Sequence, residues 1–211
     1  MKTGMLSLIA SLTLLTIVTG CSKDPLNHLT EDESRIYITN HDSTVIFTSF
    51  QTFSIADSVA IVNNNQSGGK DQSVYDAQFI DALKAAMIRQ GYTLVDKQSN
   101  PDLALAVTVI SNDYSGIISY NDYGGYYGDY WGSDYWGYPG YSYYYPSYYG
   151  VYSVNETALA VDMFDLKDAA SSNQLKNIWT ALIRGTGIFN SAKVDTQVQT
   201  LFDQSAYLKK N

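Results

Sequence analysis

Cysteine is almost missing from this chain of 211 residues: Cys21 is the only one, so no intramolecular disulfide can form. Histidine is nearly as scarce, with His28 and His41 alone. Structural and catalytic zinc sites draw on several Cys and His ligands at matched spacing, and neither set exists here. No G-x-S-x-G elbow accompanies the two histidines, which removes the usual frame for a Ser-His-Asp site. Basic residues are missing from one long stretch: Gln98 to Leu166 contains no Lys, Arg or His. That stretch offers no cation with which to clamp a phosphate. The glycine pair Gly68-Gly69 and the Gly185-Thr186-Gly187 turn lack the following Lys-Ser/Thr of a phosphate loop.

Removing Lys2 from the 13 Lys and Arg leaves 12 against 21 Asp and Glu beyond the first 20 residues. Acidic charge without a basic block argues against nucleic acid and anionic headgroups as partners. The one long apolar run, Met5 to Thr19, follows Lys2. It is shorter than the roughly 20 residues that a membrane-spanning helix needs, and reads as a secretory signal over residues 1–20. Val18-Thr19-Gly20-Cys21 resembles the lipobox of bacterial lipoproteins. That resemblance implies cleavage before Cys21, diacylglycerol on its sulfur and acylation of the new N-terminus. A lone thiol in a secreted chain requires some such chemical explanation, and several acyl chains anchor stably where one binds marginally. Ser22 rather than Asp after the cysteine favours the outer membrane. Residues 21–43 are polar and read as a lipidated tether, with His28 and His41 exposed in or beside it. The globular part is expected over 44–208.

Periodicity organises that part. Thr44 to Ile55 reads as a strand interrupted near Ser49. Asn63 to Ser73 reads as a polar loop. Phe79, Ile80, Leu83, Ala86 and Met87 recur at helical spacing after Ser73 and before Gly91, the strongest helix in the chain. Tyr92 to Asp96 is a short strand. Leu103, Leu105, Val107 and Val109 alternate with Ala104, Ala106 and Thr108, which predicts a strand covered on both faces with a helix close against the small side. Glu156–Leu166 and Leu175–Gly185 form a hairpin, and Val194, Val198, Leu201 and Phe202 mark a closing helix. The economical architecture is an α+β two-layer sandwich in one domain. Its largely antiparallel sheet carries two main helices on one face, with a long Tyr/Gly-rich loop inserted between strands.

These features together resemble one family, the domain of unknown function numbered 4136, found in lipoproteins of Gram-negative envelopes. The resemblance rests on the lipobox, "FTSFQTFSI", "NPDLALAVTV", the aromatic insert and "TALAVDMFDLKDAASSNQLKNIWTALIRG", and covers Val45 to Leu208. Its motif positions here are Phe53, Pro101-Asp102, Asp165 and Trp179. The family implies the fold and the envelope location, and brings no catalytic signature.

Two groups of residues invite chemistry. Asp162, Asp165 and Asp168 could serve an Asp-dependent hydrolase. A spacing of three on a strand puts Asp162 and Asp165 on opposite faces, however, and Asp165 and Asp168 fall where the hairpin turns. The other group is the insert at about 114–152, which holds 15 of the 19 tyrosines. Its near-repeat "YWGSDYWG" offers Tyr130, Trp131, Tyr135 and Trp136 as candidate contacts for a protein or a glycan, the indoles acting as stacking platforms. Eight glycines between Gly116 and Gly150 favour a flexible loop over a fixed core. The reading that follows is a non-enzymatic, lipid-anchored envelope protein needing no cofactor or metal. It meets the membrane through its N-terminal lipid and a protein or glycan partner at the loop.

Overall fold

A computed structural model of the chain describes residues 29–63, 66–71, 73–111, 117–118, 131–145, 152–153 and 157–210. Cys21, His28 and Tyr130 lie outside the described residues. The strands in chain order are β1 (Ile36–His41), β2 (Thr52–Ile55), β3 (Val59–Asn63), β4 (Gln66–Asp71), β5 (Thr93–Leu94), β6 (Leu103–Ser111), β7 (Ile117–Ile118), β8 (Ser142–Tyr144), β9 (Tyr152–Ser153), β10 (Ala158–Asp165) and β11 (Gln174–Arg184). Nine of them build one mixed, mostly antiparallel sheet, and β7 pairs with β9 separately. The helices are α1 (Glu31–Ser34), α2 (Val74–Arg89), α3 (Ala169–Ser172) and α4 (Val194–Asp203). This is the expected α+β fold, with α2 and α4 the two main helices.

The centre is the antiparallel trio β6-β10-β11. Each outer member of the trio carries two strands end to end on its far side. On β6 these are β2 and β3, both parallel to it. On β11 they are β1, antiparallel along Trp179–Arg184, and β8, parallel along Gln174–Lys176. The break between β2 and β3 is a local kink, since Ala56 N–H still donates to the Leu105 carbonyl at 2.9 Å. Opposite Met163 and Phe164 the register shifts, because Ile178 is an extra residue in β11. That bulge turns both Ile178 and Trp179 toward the helices, where they join the same buried cluster.

Helix α2 begins and ends as its sequence dictates. The Ser73 hydroxyl accepts from Asp76 N–H, and the Asp76 carboxylate accepts from Ser73 N–H in return, which satisfies two otherwise orphaned donors. At the other end Gly91 adopts φ +99°, where a side chain would be strained. Tyr92 N–H then reaches the Met87 carbonyl and Gly91 N–H the Ile88 carbonyl, a Schellman closure. The helix thus presents Phe79, Ile80, Leu83, Ala86 and Met87 to Leu103, Leu105 and Val107 of β6 and to Leu159, Val161 and Met163 of β10. Val198, Leu201 and Phe202 of α4 complete that layer. Both alternating faces of β6 are covered, as the sequence pattern predicts, but the helices lie on the Leu/Val side.

Several boundaries differ from expectation. The tether does not extend to residue 43: Thr30 caps α1, and Ile36–His41 is a strand of the main sheet. His41 is therefore part of the fold, stacked on Tyr207 at 3.7 Å. The polar loop expected over Asn63 to Ser73 contains β4, hairpinned to β3. An edge strand paired on one side has no need of an apolar face, so alternation could not betray it. The strand expected over Thr44 to Ile55 keeps only Thr52–Ile55, with Phe47–Ser49 as a 3-10 turn.

Leu83 and Leu105 are fully buried on either side of the α2-sheet contact. Truncation of either to Ala should cost about 2–5 kcal/mol in urea-denaturation measurements. A loss under about 0.5 kcal/mol at both, the range of surface substitutions, would show that this layer is not the core.

Candidate functional site

The second face of the sheet decides what the aromatic insert is for. Ala104 and Ala106 of β6, with Ala56 and Ala60 nearby, leave a shallow trough beside Phe164, Leu166 and Leu175. Trp131 and Trp136 fill it. Trp131 is fully buried and Trp136 nearly so. The small residues do mark a close-packed second cover, but the cover is this aromatic segment and not a helix.

The segment 131–145 has defined local structure. Ser133–Trp136 forms a 3-10 turn closed by Gly137, and Ser142–Tyr144 adds β8 to the edge of β11. Tyr135 sits edge-on between the two indoles, 4.9 Å from Trp131 and 4.8 Å from Trp136. Tyr143 and Tyr145 meet Phe164 edge-on at 5.0 and 5.9 Å. Phenol hydroxyls then donate to the backbone, Tyr138 to the Leu166 carbonyl at 2.9 Å and Tyr143 to the Trp131 carbonyl. Burial pushes the Tyr135, Tyr138 and Tyr143 phenols upward, so they remain neutral donors. The mobile-loop expectation is thus overturned for 131–145. So is the stacking-platform role, because neither indole is open to a glycan. The rest of the insert, with Tyr130, lies outside the described residues.

Cations missing from Gln98–Leu166 arrive from elsewhere. The Lys70 ammonium sits 4.1 Å from the centroid of Trp131, and that of Lys97 sits 3.6 Å from Tyr135. Such contacts contribute about 0.5–2 kcal/mol depending on desolvation. Beside them is a cleft of about 480 Å³ lined by Lys97, Gln98, Asn100, Asp134, Tyr135 and Tyr138, among others. Of the sequence-singled contacts Tyr135 and Trp136 border it, Tyr135 with a partly exposed ring and Trp136 almost fully buried.

The carboxylates are held in structural roles. Asp162 is buried on the second face, where it accepts from Asn177 Nδ2 at 2.7 Å. Asp165 belongs to the opposite face, as the spacing predicts, and accepts from Asp168 N–H at 3.1 Å inside the hairpin turn. Burial pushes the Asp165 carboxyl upward. It borders a cleft of about 430 Å³ shared with Thr44, Phe50, Asp168, Ser172 and Lys176. At the rim Lys176 pairs with Asp42. Burial opposes the Asp42 charge, but the Lys176 ammonium and Thr44 outweigh it, and the Asp42 carboxyl titrates at about 2. Among the described residues no three His, Cys, Asp or Glu side chains gather as a metal site.

The motif positions prove architectural. Phe53 is fully buried. Asp102 ties three strand ends together: its carboxylate accepts from Gln51 and Thr52 N–H, and its carbonyl accepts from Leu166 and Lys167 N–H. In the sequence Asp102 stands out only as a motif position beside Pro101; no spacing could reveal partners 50 and 64 residues away. Trp179 Nε1 donates to Ser205 Oγ at 3.0 Å in the core.

Fold and site define a class: an α+β domain whose mixed sheet is covered by helices on one face and an aromatic segment on the other. The chain belongs to the DUF4136 family, a domain of unknown function, which matches residues 38–205. A crystal structure of a DUF4136 family protein from Bacteroides thetaiotaomicron is similar at a TM-score of 0.69 and 28% identity, covering 85% of this chain and 100% of that one. The PelC dodecamer from Paraburkholderia phytofirmans aligns over 84% of this chain and 99% of its own, at a TM-score of 0.40 and 9% identity. No curated protein matches.

Trp131→Ala should cost about 3–5 kcal/mol, as for a buried core aromatic. Replacing 131–145 by a Gly/Ser linker of equal length should abolish the cooperative thermal transition. A parent-like transition in the linker variant would return the segment to the status of a dispensable loop.

A second expectation concerns acid. Asp42 titrates below its ordinary range in the fold, so its ion pair contributes stability above about pH 4, lost as pH falls toward 2. Asp42→Asn should lower Tm at pH 6, and the gap should narrow from about pH 4 and close only below pH 2, where Asp42 is protonated in the fold as well. A gap constant with pH would remove the ion pair as its cause.

Proposed function

We propose that this protein is a non-enzymatic interaction module held on the outer membrane by lipid on Cys21. The observation that carries the reading is positional. The lipobox cysteine precedes Thr30, the cap of the first helix, by nine residues. Thr30 N–H donates to Glu33 at 2.9 Å and Glu33 N–H returns to the Thr30 hydroxyl, a reciprocal cap on that helix. Nine residues span at most about 30 Å. An acylated Cys21 would therefore keep the domain against the envelope surface.

The non-enzymatic part of the reading draws on how the polar groups are used. Asp42, Asp102, Asp162 and Asp165 each serve an ion pair, strand junction, buried hydrogen bond or turn. His41 stacks on Tyr207 at the end of an edge strand. Membership of a family of unknown function is compatible with this role and does not specify it.

The test is flotation with vesicles or envelope fractions after expression with the full leader. The parent should float, and Cys21→Ser should be released to the soluble fraction with an unchanged thermal transition. A Cys21→Ser protein that floats at parental yield would overturn the lipid anchor.

A further inference from the structure

The cleft beside Tyr135 is lined by two tight turns from distant parts of the chain. The first is the 3-10 turn Lys97–Ser99, where the Asp96 carboxylate accepts from Gln98 N–H at 2.8 Å. Asn100 follows it in the left-handed region, at φ 50°. The second is Ser133–Trp136, ended by Gly137 at φ +88°. Neither turn is loose, since Tyr135 is wedged edge-on between two indoles and the Tyr138 hydroxyl is tied to the Leu166 carbonyl. The volume of about 480 Å³ falls within the roughly 300–1,000 Å³ of small-ligand pockets.

Charge marks this cleft out. The protein carries 21 Asp and Glu against 13 Lys and Arg, and Arg35, Lys84, Lys176 and Lys193 are each paired with a carboxylate. Lys70 and Lys97 are not: among the described residues neither has a carboxylate within ion-pair range. Both instead approach the ring of Tyr135, Lys97 at 3.6 Å from its centroid and Lys70 at 5.3 Å. Two like charges converging on one phenol repel each other, and an anion in the cleft lowers the energy of both. Lys97 lines the cleft and is half-buried, so its charge is screened less than one on open surface.

Deepening the interaction-module reading on which it rests, we propose that this cleft binds an acidic glycan through a uronate ring, its carboxylate on Lys97 and its hydroxyls on Gln98, Asn100 and Asp134. The rest of the lining selects the sugar. Asp134 accepts from Gly140 N–H at 3.3 Å with one oxygen, which leaves the other for a hydroxyl proton. The side-chain amides of Gln98 and Asn100 have no partner among the described residues. Each can donate and accept, as a ring of hydroxyls requires. The half-buried Tyr138 ring offers an apolar surface to the C–H face of a sugar. A dianion such as phosphate fits less well, because Asp134 lines the same cleft and the charges of Asp57 and Asp96 are felt at Tyr135. Recognition is polar here and needs neither indole as a platform.

The experiment is titration calorimetry at low salt on the full-length lipidated protein in detergent micelles. Aldotriouronic acid, which joins a uronate to neutral xylose rings, should bind about tenfold or more tightly than xylotriose, acetate or triglycine. Its affinity should fall as salt is added. Lys97→Gln should weaken it about tenfold and Gln98→Ala about threefold, each with a cooperative thermal transition retained. Lys97→Arg should keep most of the affinity, and Lys84→Gln, on the outer surface of α2 and paired with Asp81, all of it. No binding of aldotriouronic acid, equal binding of any of the three comparison ligands, or an affinity untouched by Lys97→Gln overturns the site and leaves the lipid anchor and the non-enzymatic reading standing. New reducing ends in the incubated mixture would uphold the site and overturn the non-enzymatic reading instead.

Discussion

The β6-β10 pair is buried on both faces, and everything else in the fold follows from the need to cover it twice. All eight residues of β10 are buried. A sheet centre of that kind needs an apolar layer above and below. Helices α2 and α4 supply one by ordinary amphipathic periodicity. The other comes from Trp131, Trp136 and their tyrosine neighbours, seated where Ala104 and Ala106 leave room for rings.

This constraint explains why the covering segment is rich in tyrosine. A covering loop must bury apolar area while also satisfying the carbonyls that irregular backbone leaves unpaired. A phenol does both, and Tyr138 and Tyr143 each spend their hydroxyl on a main-chain oxygen. Phenylalanine would pack equally well and bring no donor to those oxygens. Gly137, at φ +88°, lets the chain reverse after the 3-10 turn that carries Trp136. Low complexity in this stretch therefore encodes a fitted cover rather than an adhesive surface.

Charge is used sparingly and at the margins. Lys70 and Lys97 lie over the outer rings of the aromatic layer, and Lys176 holds Asp42 where β1 leaves the sheet. Inside the second face one polar pair, Asp162 with Asn177, sits between the aromatic cluster and a smaller one of Ile110, Ala158, Ala160 and Leu182. A buried carboxylate is costly unless hydrogen-bonded, so this pair favours one alignment of β10 against β11 over its neighbours.

The sequence by itself determined the elements whose pattern repeats locally. The α2 face, the alternation of Leu103 to Val109, the β10-β11 hairpin and the closing helix were all legible, because each signal lies within one element or two neighbouring ones. The tertiary structure alone decided the fate of Trp131 and Trp136. Their neighbours on β6, β10 and β11 are 25 to 44 residues away, and composition pointed toward a loop. Edge strands β1, β4 and β8 escaped for a related reason: a strand paired on one side is specified by its partner's free hydrogen-bonding groups, which leave no periodic mark on its own residues.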